Sequence, residues 1–570
     1  MRLKTTSSKY KTHFSIIKDY VVKGKRTTKI IENLGNEEQV KQRAGNHDYM
    51  TWINNYIAEL NKLDQDENRT VTLNLNPKKE LAYNQLHTFN GGYLFLQDIY
   101  YELGINKICD VISRKYKFTF DLNDILSRLV YSRIIYPASK LSTLKASKKF
   151  IEQHDFDIQH VYRALEVLAK EKDYIQAELY KNSLDVSKRN TGVLYYDLTN
   201  YFFEIETADD FRKYGKSKEN RPNPLVQMGL FMDGDGIPLS FDLTAGNMNE
   251  QTTLKPLEKK LIQDFKLSKF VVCTDAGLAS VANRKFNNEG ERAFITTQSI
   301  KKLKNFLKQW ALDQSGWRLS GSDELYNINE INEDLYKDSL FYKERWIKEN
   351  DFEQRLIVTY SIKYKNYHQK IRLNQIERAS KLISNNPAKL GKVNQNDFRR
   401  FISKTSVTSS GEEAMKNIYE LDMDLILEEA AYDGLYGVCT NLEDNIEEII
   451  KVNRRRWEME ESFRIMKSEF EARPVYLSRE DRITAHFVTC VLALIIYRYL
   501  EKRLEEKYTT SEIMECLRDY NFREFLGDGY VPSYTRTNLI DTLHKEFGFR
   551  TDFDIVSDKK MKKICKETKS

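Results

Sequence analysis

No two cysteines in this chain are spaced as CxxC; Cys109, Cys273, Cys439, Cys490, Cys516 and Cys565 are scattered along it. That argues against a zinc site and for a reducing compartment. No apolar stretch opens the N-terminus, so a signal peptide is not expected. The longest apolar run, Phe487 to Tyr497, is too short to span a bilayer and points to a buried helix. No internal repeat or low-complexity tract is evident, and 34 Tyr and 29 Phe leave no long segment with the composition of disorder. What remains is a cytoplasmic globular protein with no membrane partner. Its 570 residues, 41% hydrophobic and 31% charged, give room for a sizeable core and roughly three or four domains.

Net charge says little, since 90 basic residues nearly balance 84 acidic ones. Placement says more. Residues 1–30 carry nine Lys/Arg against the single acid Asp19, and 559–563 reads Lys-Lys-Met-Lys-Lys. Basic ends on a balanced body suit a polyanion or are simply solvated surface.

Local patterning divides the chain. Region 1–85 opens with a basic hairpin over 14–34, turning at Lys23-Gly24-Lys25, followed by a helix near 47–63. Region 86–190 has helical periodicity, including DILSRLVYSRIIY, which Pro137 stops. Over 191–298 the texture becomes β-rich. VLYYDLTNYFFEIE and LVQMGLFMD precede the hairpin turn Asp233-Gly234-Asp235-Gly236, and IPLSFDLTAG returns as a third strand. A helix leads to KFVVCTD, and a second helix to AFITTQ. Region 299–432, with the basic segment KKLKNFLKQW and a long helix near 368–384, is expected to be an insertion within this domain. GLYGVCTN resumes the strand texture in region 433–500, and 501–570 is expected to be helical.

Three antiparallel strands, helix, strand, helix, strand is the ribonuclease-H-like order. The expected fold is therefore α/β: a mixed five-stranded catalytic sheet with helices, interrupted by an insertion and flanked by helical terminal regions. That order carries one acid on the first strand and another at the end of the fourth, the positions of Asp197 and Asp275. Either alone could be a turn cap; their joint placement favours a site.

Residues 444–470 contain no Gly or Pro and are rich in helix formers. Arg456, Glu460 and Lys467, four and seven apart, share one face of such a helix. Trp457, Phe463 and Met466 are expected to pack it against the core. Spacing alone is equally that of a salt-bridged surface helix. The pattern, however, resembles the Tyr-x2-Arg-x3-Glu-x6-Lys (YREK) signature of bacterial insertion-sequence DDE transposases, with Asn453 in the Tyr position. YYDLTNYFFE (195–204), TDAGLAS (274–280), TNLED (440–444) and RPVYLSREDRITAHFV (473–488) are similar to the same family. The resemblance spans roughly 190–500.

It implies a transposase that binds terminal inverted repeats of double-stranded DNA, cuts at the element ends and joins them to target DNA. Asp197, Asp275 and Glu460 would be both catalytic residues and ligands to two Mg²⁺ ions, with Mn²⁺ able to substitute and Asp197 bridging. Two metals can stabilise the attacking and leaving oxygens of an in-line displacement at phosphorus. Arg456 and Lys467 would contact DNA, as would Asn453 and Arg473 in the same region. Lys23, Lys25 and Arg26, with Lys18 and Lys29, could straddle phosphates from the hairpin. Lys301, Lys302, Lys304 and Lys308 in the insertion are of the same kind. Each basic group has the alternative of solvated surface, Arg473 that of a structural ion pair, and His486 that of a satisfied core histidine. A homodimer is implied, because two DNA ends must meet, with about 495–520 as a candidate contact. The bacterial cytoplasm, at the nucleoid, is the expected location. A metal-dependent nuclease on the same fold, or a DNA-binding descendant without catalysis, are the alternatives.

Overall fold

The computed structural model describes residues 1–7, 12–22, 25–45, 48–67, 77–78, 80–319, 321–322, 324–349, 351–385, 397–407 and 413–570. The chain divides into two compact units: Met1–Phe89 with Phe522–Ser533 and Thr551–Ile564, and the remainder, which carries every acid of the candidate site.

In the smaller unit, β1 (Arg2–Ser7), β2 (Thr12–Val22) and β3 (Lys25–Asn36) form an antiparallel sheet in that order. The expected hairpin is β2–β3, and β1 adds a strand to it. Asn36 caps α1 (Glu37–Ala44) through a capping box with Gln39, and α2 (Tyr49–Glu67) follows. Phe14, Ile16, Leu34, Val40 and Ile53 make its core. A short β4 (Thr88–Asn90) ends the segment.

The larger unit begins with six helices: α3 (Tyr93–Glu102), α4 (Ile105–Tyr116), α5 (Leu122–Ile135), α6 (Lys140–Ser147), α7 (Ile158–Lys170) and α8 (Lys172–Val186). Pro137 stops α5 as expected: Tyr136, just before it, leaves the helical conformation. The sheet starts with β5 (Val193–Phe202), β6 (Leu225–Asp233) and β7 (Pro238–Ala245), an antiparallel meander. Then α9 (Leu254–Asp264) leads to β8 (Val271–Thr274), and α10 (Val281–Phe286) to β9 (Ala293–Gln298). Both β8 and β9 run parallel to β5.

The expected five strands and their order are present, but the sheet does not stop there. After α11 (Asn305–Leu312) come β10 (Trp317–Leu319), β11 (Leu325–Tyr326), β12 (Phe341–Glu349) and β13 (Phe352–Tyr360). Next are α12 (Ile362–Asn385), the pair β14 (Ile402–Val407) and β15 (Glu413–Leu421), α13 (Met423–Ala430) and β16 (Leu435–Thr440). The order β11-β10-β12-β13-β16-β9-β8-β5-β6-β7 makes one mixed sheet of ten strands. The insertion therefore extends the sheet by pairing β13 with β16 and β16 with β9, burying the apolar run Leu356-Ile357-Val358 on both faces.

Beyond the sheet, α14 (Ile446–Arg454), α15 (Trp457–Arg464), a π-helical turn (Ile465–Glu469) and α16 (Glu480–Arg503) complete the core. By length and composition α16 is apolar enough to cross a membrane, and 94% of that stretch is buried inside the protein, where it packs on α3, α5 and α7. A helix apolar all round is a core helix. The last region is not wholly helical. Between α17 (Thr510–Asp519) and α18 (Asn538–Glu546), β17 (Asn521–Phe525) and β18 (Gly529–Pro532) form a hairpin, whose turn through 526–528 uses Gly527 at a positive φ. The chain ends in α19 (Asp558–Glu567).

Candidate functional site

Strand β5 alternates strictly. Leu194, Tyr196 and Leu198 point into an apolar layer with Leu254, Leu257 and Leu261 of α9. Gly229, opposite on β6, gives the Tyr196 ring room, since a Cβ there would lie 2.3 Å from its hydroxyl; that hydroxyl bonds Thr253 at 2.8 Å. The odd-numbered residues face the other way. Tyr195 donates to the Val452 carbonyl at 2.9 Å, and Cys273 of β8 reaches Asn453 at 3.6 Å, so α14 covers that face.

The parallel pairing of β5 with β8 ends at Tyr195 opposite Cys273. Asp197 and Asp275 each lie two residues further on. The pleat thus turns Asp197, in the middle of β5, to the α14 face, and Asp275 follows directly on the end of the neighbouring parallel strand β8. Each is half-buried. Asp197 Oδ1 accepts from the Leu198 amide at 2.7 Å, and Asp275 Oδ1 from the Leu278 amide at 3.1 Å. Burial pushes Asp197 up to about 6; the nearby Asp275 charge adds to this, while Lys218 and Arg456 oppose it.

The third acid comes from α15, which packs against β5. Its neighbours are committed: Glu458 pairs with Arg455 at 2.9 Å, and Glu461 with Arg464 at 3.7 Å and Arg498 at 3.6 Å. Glu460 is exposed and has no ion-pair partner among the described residues. Arg456, one turn earlier, donates to Thr297 Oγ1 at 3.2 Å and so reaches the end of β9. Phe463 and Met466 are buried as expected; Trp457 is not, being 57% exposed. The cause is that the expected single helix is interrupted. It breaks at Arg455–Arg456 and widens into the π-helical turn at 465–469, which carries Lys467. Such turns re-phase the side chains that follow.

Asn453 does not face outward, in contrast to the expectation of a DNA contact. It is 3% exposed; its amide donates to the Tyr436 hydroxyl at 2.9 Å and its oxygen accepts from Cys273. Tyr436 in turn bonds Thr297 at 2.8 Å, the residue that holds Arg456. Asn453 thus belongs to a partly buried chain of hydrogen bonds that leads to Arg456. Removing one member strands another, at about 1–3 kcal/mol. Tyr436→Phe is therefore expected to lower the melting temperature by a few degrees, read by calorimetry, with Asn453→Leu adding less than its own separate effect.

Lys467 and Arg473 converge on Glu219, Lys467 at 3.1 Å and Arg473 in direct contact. Lys467 also lies over the Tyr201 ring and Arg473 over Phe202. Burial, helped by Lys218, pushes Lys467 down to about 8. Neither Lys218, 4.0 Å from Asp197, nor Glu219 stood out in the sequence. The only available signal was the charged run Lys216-Ser217-Lys218-Glu219-Asn220-Arg221 shortly before the second strand. On the far side of Asp275, a cleft of about 460 Å³ runs from Ala276 past Lys302, Lys304, Phe306 and Arg345. Lys301 instead pairs with Glu429 at 3.5 Å, and Lys308 is half-buried. His486 is buried and hydrogen-bonded, as expected for a core histidine. In the smaller unit, Lys18 pairs with Asp64 and Lys29 is exposed. Lys23 and the side chains of Lys25 and Arg26 lie outside the described residues.

Residues 201–496, more than half of the chain, match the family model of the transposase DDE domain. The chain belongs to the transposase DDE family. Among solved structures, this DDE-family chain resembles a piggyBac transposase synaptic complex with hairpin DNA, determined by cryo-EM. The two are 8% identical with a TM-score of 0.36, over 82% of this chain and 87% of that one. No curated protein matches. The family match begins four residues past Asp197 and includes Asp275, Glu460 and both Lys467 and Arg473. Asp197 and Asp275, whose charges interact, offer the oxygen ligands that hard divalent cations take, while the three carboxylates together are not drawn within 4.8 Å of one another.

Proposed function

We propose that this protein is an insertion-sequence DNA transposase acting by two-metal phosphoryl transfer. It would work on terminal inverted repeats in the bacterial cytoplasm, at the nucleoid. The observation that carries the reading is the in-register placement of Asp197 and Asp275 beyond the last β5–β8 pair, on the face covered by the helices that lead to Glu460. The strand order supports a ribonuclease-H-like core. Asp197, Asp275 and Glu460 would hold Mg²⁺ or Mn²⁺, with Asp197 shared. Two such ions supply charge stabilisation to the attacking and leaving oxygens at phosphorus.

The chain's own groups do the rest. Arg456, fixed through Thr297, presents a planar fork suited to bidentate grip of a phosphate. Lys467 and Arg473 offer further positive charge, and the Lys302–Lys304–Arg345 cleft extends it beyond Asp275. Two copies acting together would bring both ends of an element into one complex.

The test is purified protein with duplexes carrying the repeats that bracket its gene. Metal-dependent nicking at the repeat ends, followed by joining to target DNA, is expected. Cut ends without joined product would make the protein a nuclease, and binding without cleavage would remove the catalytic reading.

Glu219 gives a second expectation. Its carboxylate occupies both Lys467 and Arg473, where DNA phosphates would compete for them. Glu219→Gln removes the competing charge and is expected to tighten duplex binding about 3- to 10-fold at low salt, the equivalent of roughly 1 kcal/mol. Fluorescence anisotropy measures it, and unchanged or weaker binding would count against Lys467 and Arg473 as phosphate contacts.

A further inference from the structure

A cavity of about 660 Å³ opens between the α5–α6 turn and the segment that joins the π-helical turn to α16. Its floor is unusual for its charge. Arg133, Lys140 and His486 are 3%, 5% and 5% exposed, and Arg473 is on the wall. Buried cations are ordinarily paired. Arg189, elsewhere in this unit, is paired with Asp233. Lys140 has no carboxylate partner among the described residues; its Nζ meets only His486 Nδ1, at 3.4 Å. His486 accepts there, because its Nε2 donates to the Ala472 carbonyl at 3.1 Å. Arg133 donates to the carbonyls of Phe470 and Ala138, and its Nε has no partner. The one acidic lining residue, Glu471, is exposed and offers Arg133 its carbonyl oxygen.

Three donors of an ammonium with one acceptor among them leave the pocket built for an anion it does not itself supply. Burial and the neighbouring Arg133 press Lys140 down to about 7, which is the cost of that missing charge. The pocket is also continuous with the candidate site. Arg473 lines it and meets Glu219, which meets Lys467, whose charge interacts with Lys218 and Asp197. Basic side chains, with Glu219 bridging Lys467 and Arg473, thus lead from the carboxylates to the cavity that Lys140 lines.

We propose that the pocket formed by Lys140, Arg133, His486 and Arg473 receives a backbone phosphate of the DNA strand that crosses Asp197 and Asp275. This rests on the DNA-transposase reading above. The phosphate would accept from the two uncommitted Lys140 donors, while His486 holds the ammonium in position from behind. A phosphodiester satisfies this as free phosphate would; the basic side chains leading back to the carboxylates favour the polymer.

The experiment measures binding of the full-length protein to a fluorescein-labelled 40-base-pair duplex from the DNA bracketing the gene, over a KCl series. One phosphate contact contributes about 0.9 to the slope of log K against log[salt]. Lys140→Met is expected to make the slope shallower by about 1 and weaken binding about 5- to 10-fold at 0.1 M KCl. Lys140→Arg should keep the wild-type slope. The free Lys140→Met protein should melt no lower than wild type, because a buried unpaired charge is gone. A wild-type slope in folded Lys140→Met overturns the proposal. So does inorganic phosphate raising the wild-type melting temperature through Lys140 while the duplex slope stays unchanged, which would make the pocket a small-anion site. If Lys140→Met does not fold, reductive methylation of wild type decides: duplex should protect Lys140 several-fold, and equal labelling with duplex bound overturns the proposal. Failure of wild type to bind any duplex would instead remove the transposase reading on which the pocket's ligand depends.

Discussion

Asp197→Asn is expected to reduce metal-dependent strand cleavage by at least about 10³-fold while raising the melting temperature of the metal-free protein at pH 7.5. The first effect follows from charge. On the proposed function Asp197 would help to hold cations at the reacting phosphorus; such stabilisation accounts for several kcal/mol, and about 4 kcal/mol is about 10³ in rate. The second follows from burial. In the folded chain Asp197 binds its proton up to about 6, against 3.8 ordinarily. Between those values the folded state keeps a proton that the unfolded chain has released, so stability falls as pH rises through this window. Above about 6 the full cost is present, roughly 3 kcal/mol at most. Asparagine keeps the shape and never carries the charge. The gap in melting temperature between Asp197→Asn and wild type should therefore be small near pH 4 and widest above pH 6. Mg²⁺ or Mn²⁺ should narrow it by stabilising wild type alone. Calorimetry across pH and a cleavage assay check both halves. A variant that loses activity and also melts lower would mean Asp197 is a structural residue.

The placement of Asp197 and Asp275 on the sheet was legible because its determinants are local. The β-rich run around Asp197 and the short apolar run ending at Asp275 define strands without tertiary information, and the parallel register then brings the two strands together. Glu460 was singled out by its register with Arg456 and Lys467, and the ion pairs of Glu458 and Glu461 set it apart from its neighbours independently. What escaped the sequence was set by long-range contacts. A helix period cannot foresee the break at Arg455–Arg456 that turns Trp457 outward, nor that a Tyr436 from another strand would bury Asn453. Five extra strands join the sheet through pairings such as Leu356 with Cys439, across two intervening helices and a hairpin. Glu219 and Lys218 belong to a loop whose position depends on the strands around it. Lys140 is the extreme case: a lysine at a helix start looks like surface, and only packing by α16 makes it interior.

Asp233→Ala is expected to be among the most damaging single changes to stability. Asp233-Gly234-Asp235-Gly236 is recognisable as a hairpin turn, but its strength comes from a partner 44 residues earlier. The Asp233 side chain is wholly buried, one oxygen accepting from the Asp235 and Ile237 amides at 3.0 and 2.9 Å, the other paired with Arg189. Arg189 also donates to Ser183 at 2.8 Å and to the carbonyls of Ile237 and Pro238. Alanine would leave a buried guanidinium without its counter-charge and two turn amides without acceptors, at about 3–5 kcal/mol. The double change Arg189→Met with Asp233→Leu removes both charges and should cost much less than the sum of the single changes, the signature of a coupled pair. Because β6 pairs along the whole of β5, from Leu194 with Asp233 to Phe202 with Leu225, loosening this turn should also shift Asp197. The single variant should therefore lose cleavage at temperatures where it is still folded, and lose it before the double variant does. Melting curves read beside cleavage rates test this; equal stability of Asp233→Ala and wild type would show that the pair contributes nothing to holding the strand that carries the first acid.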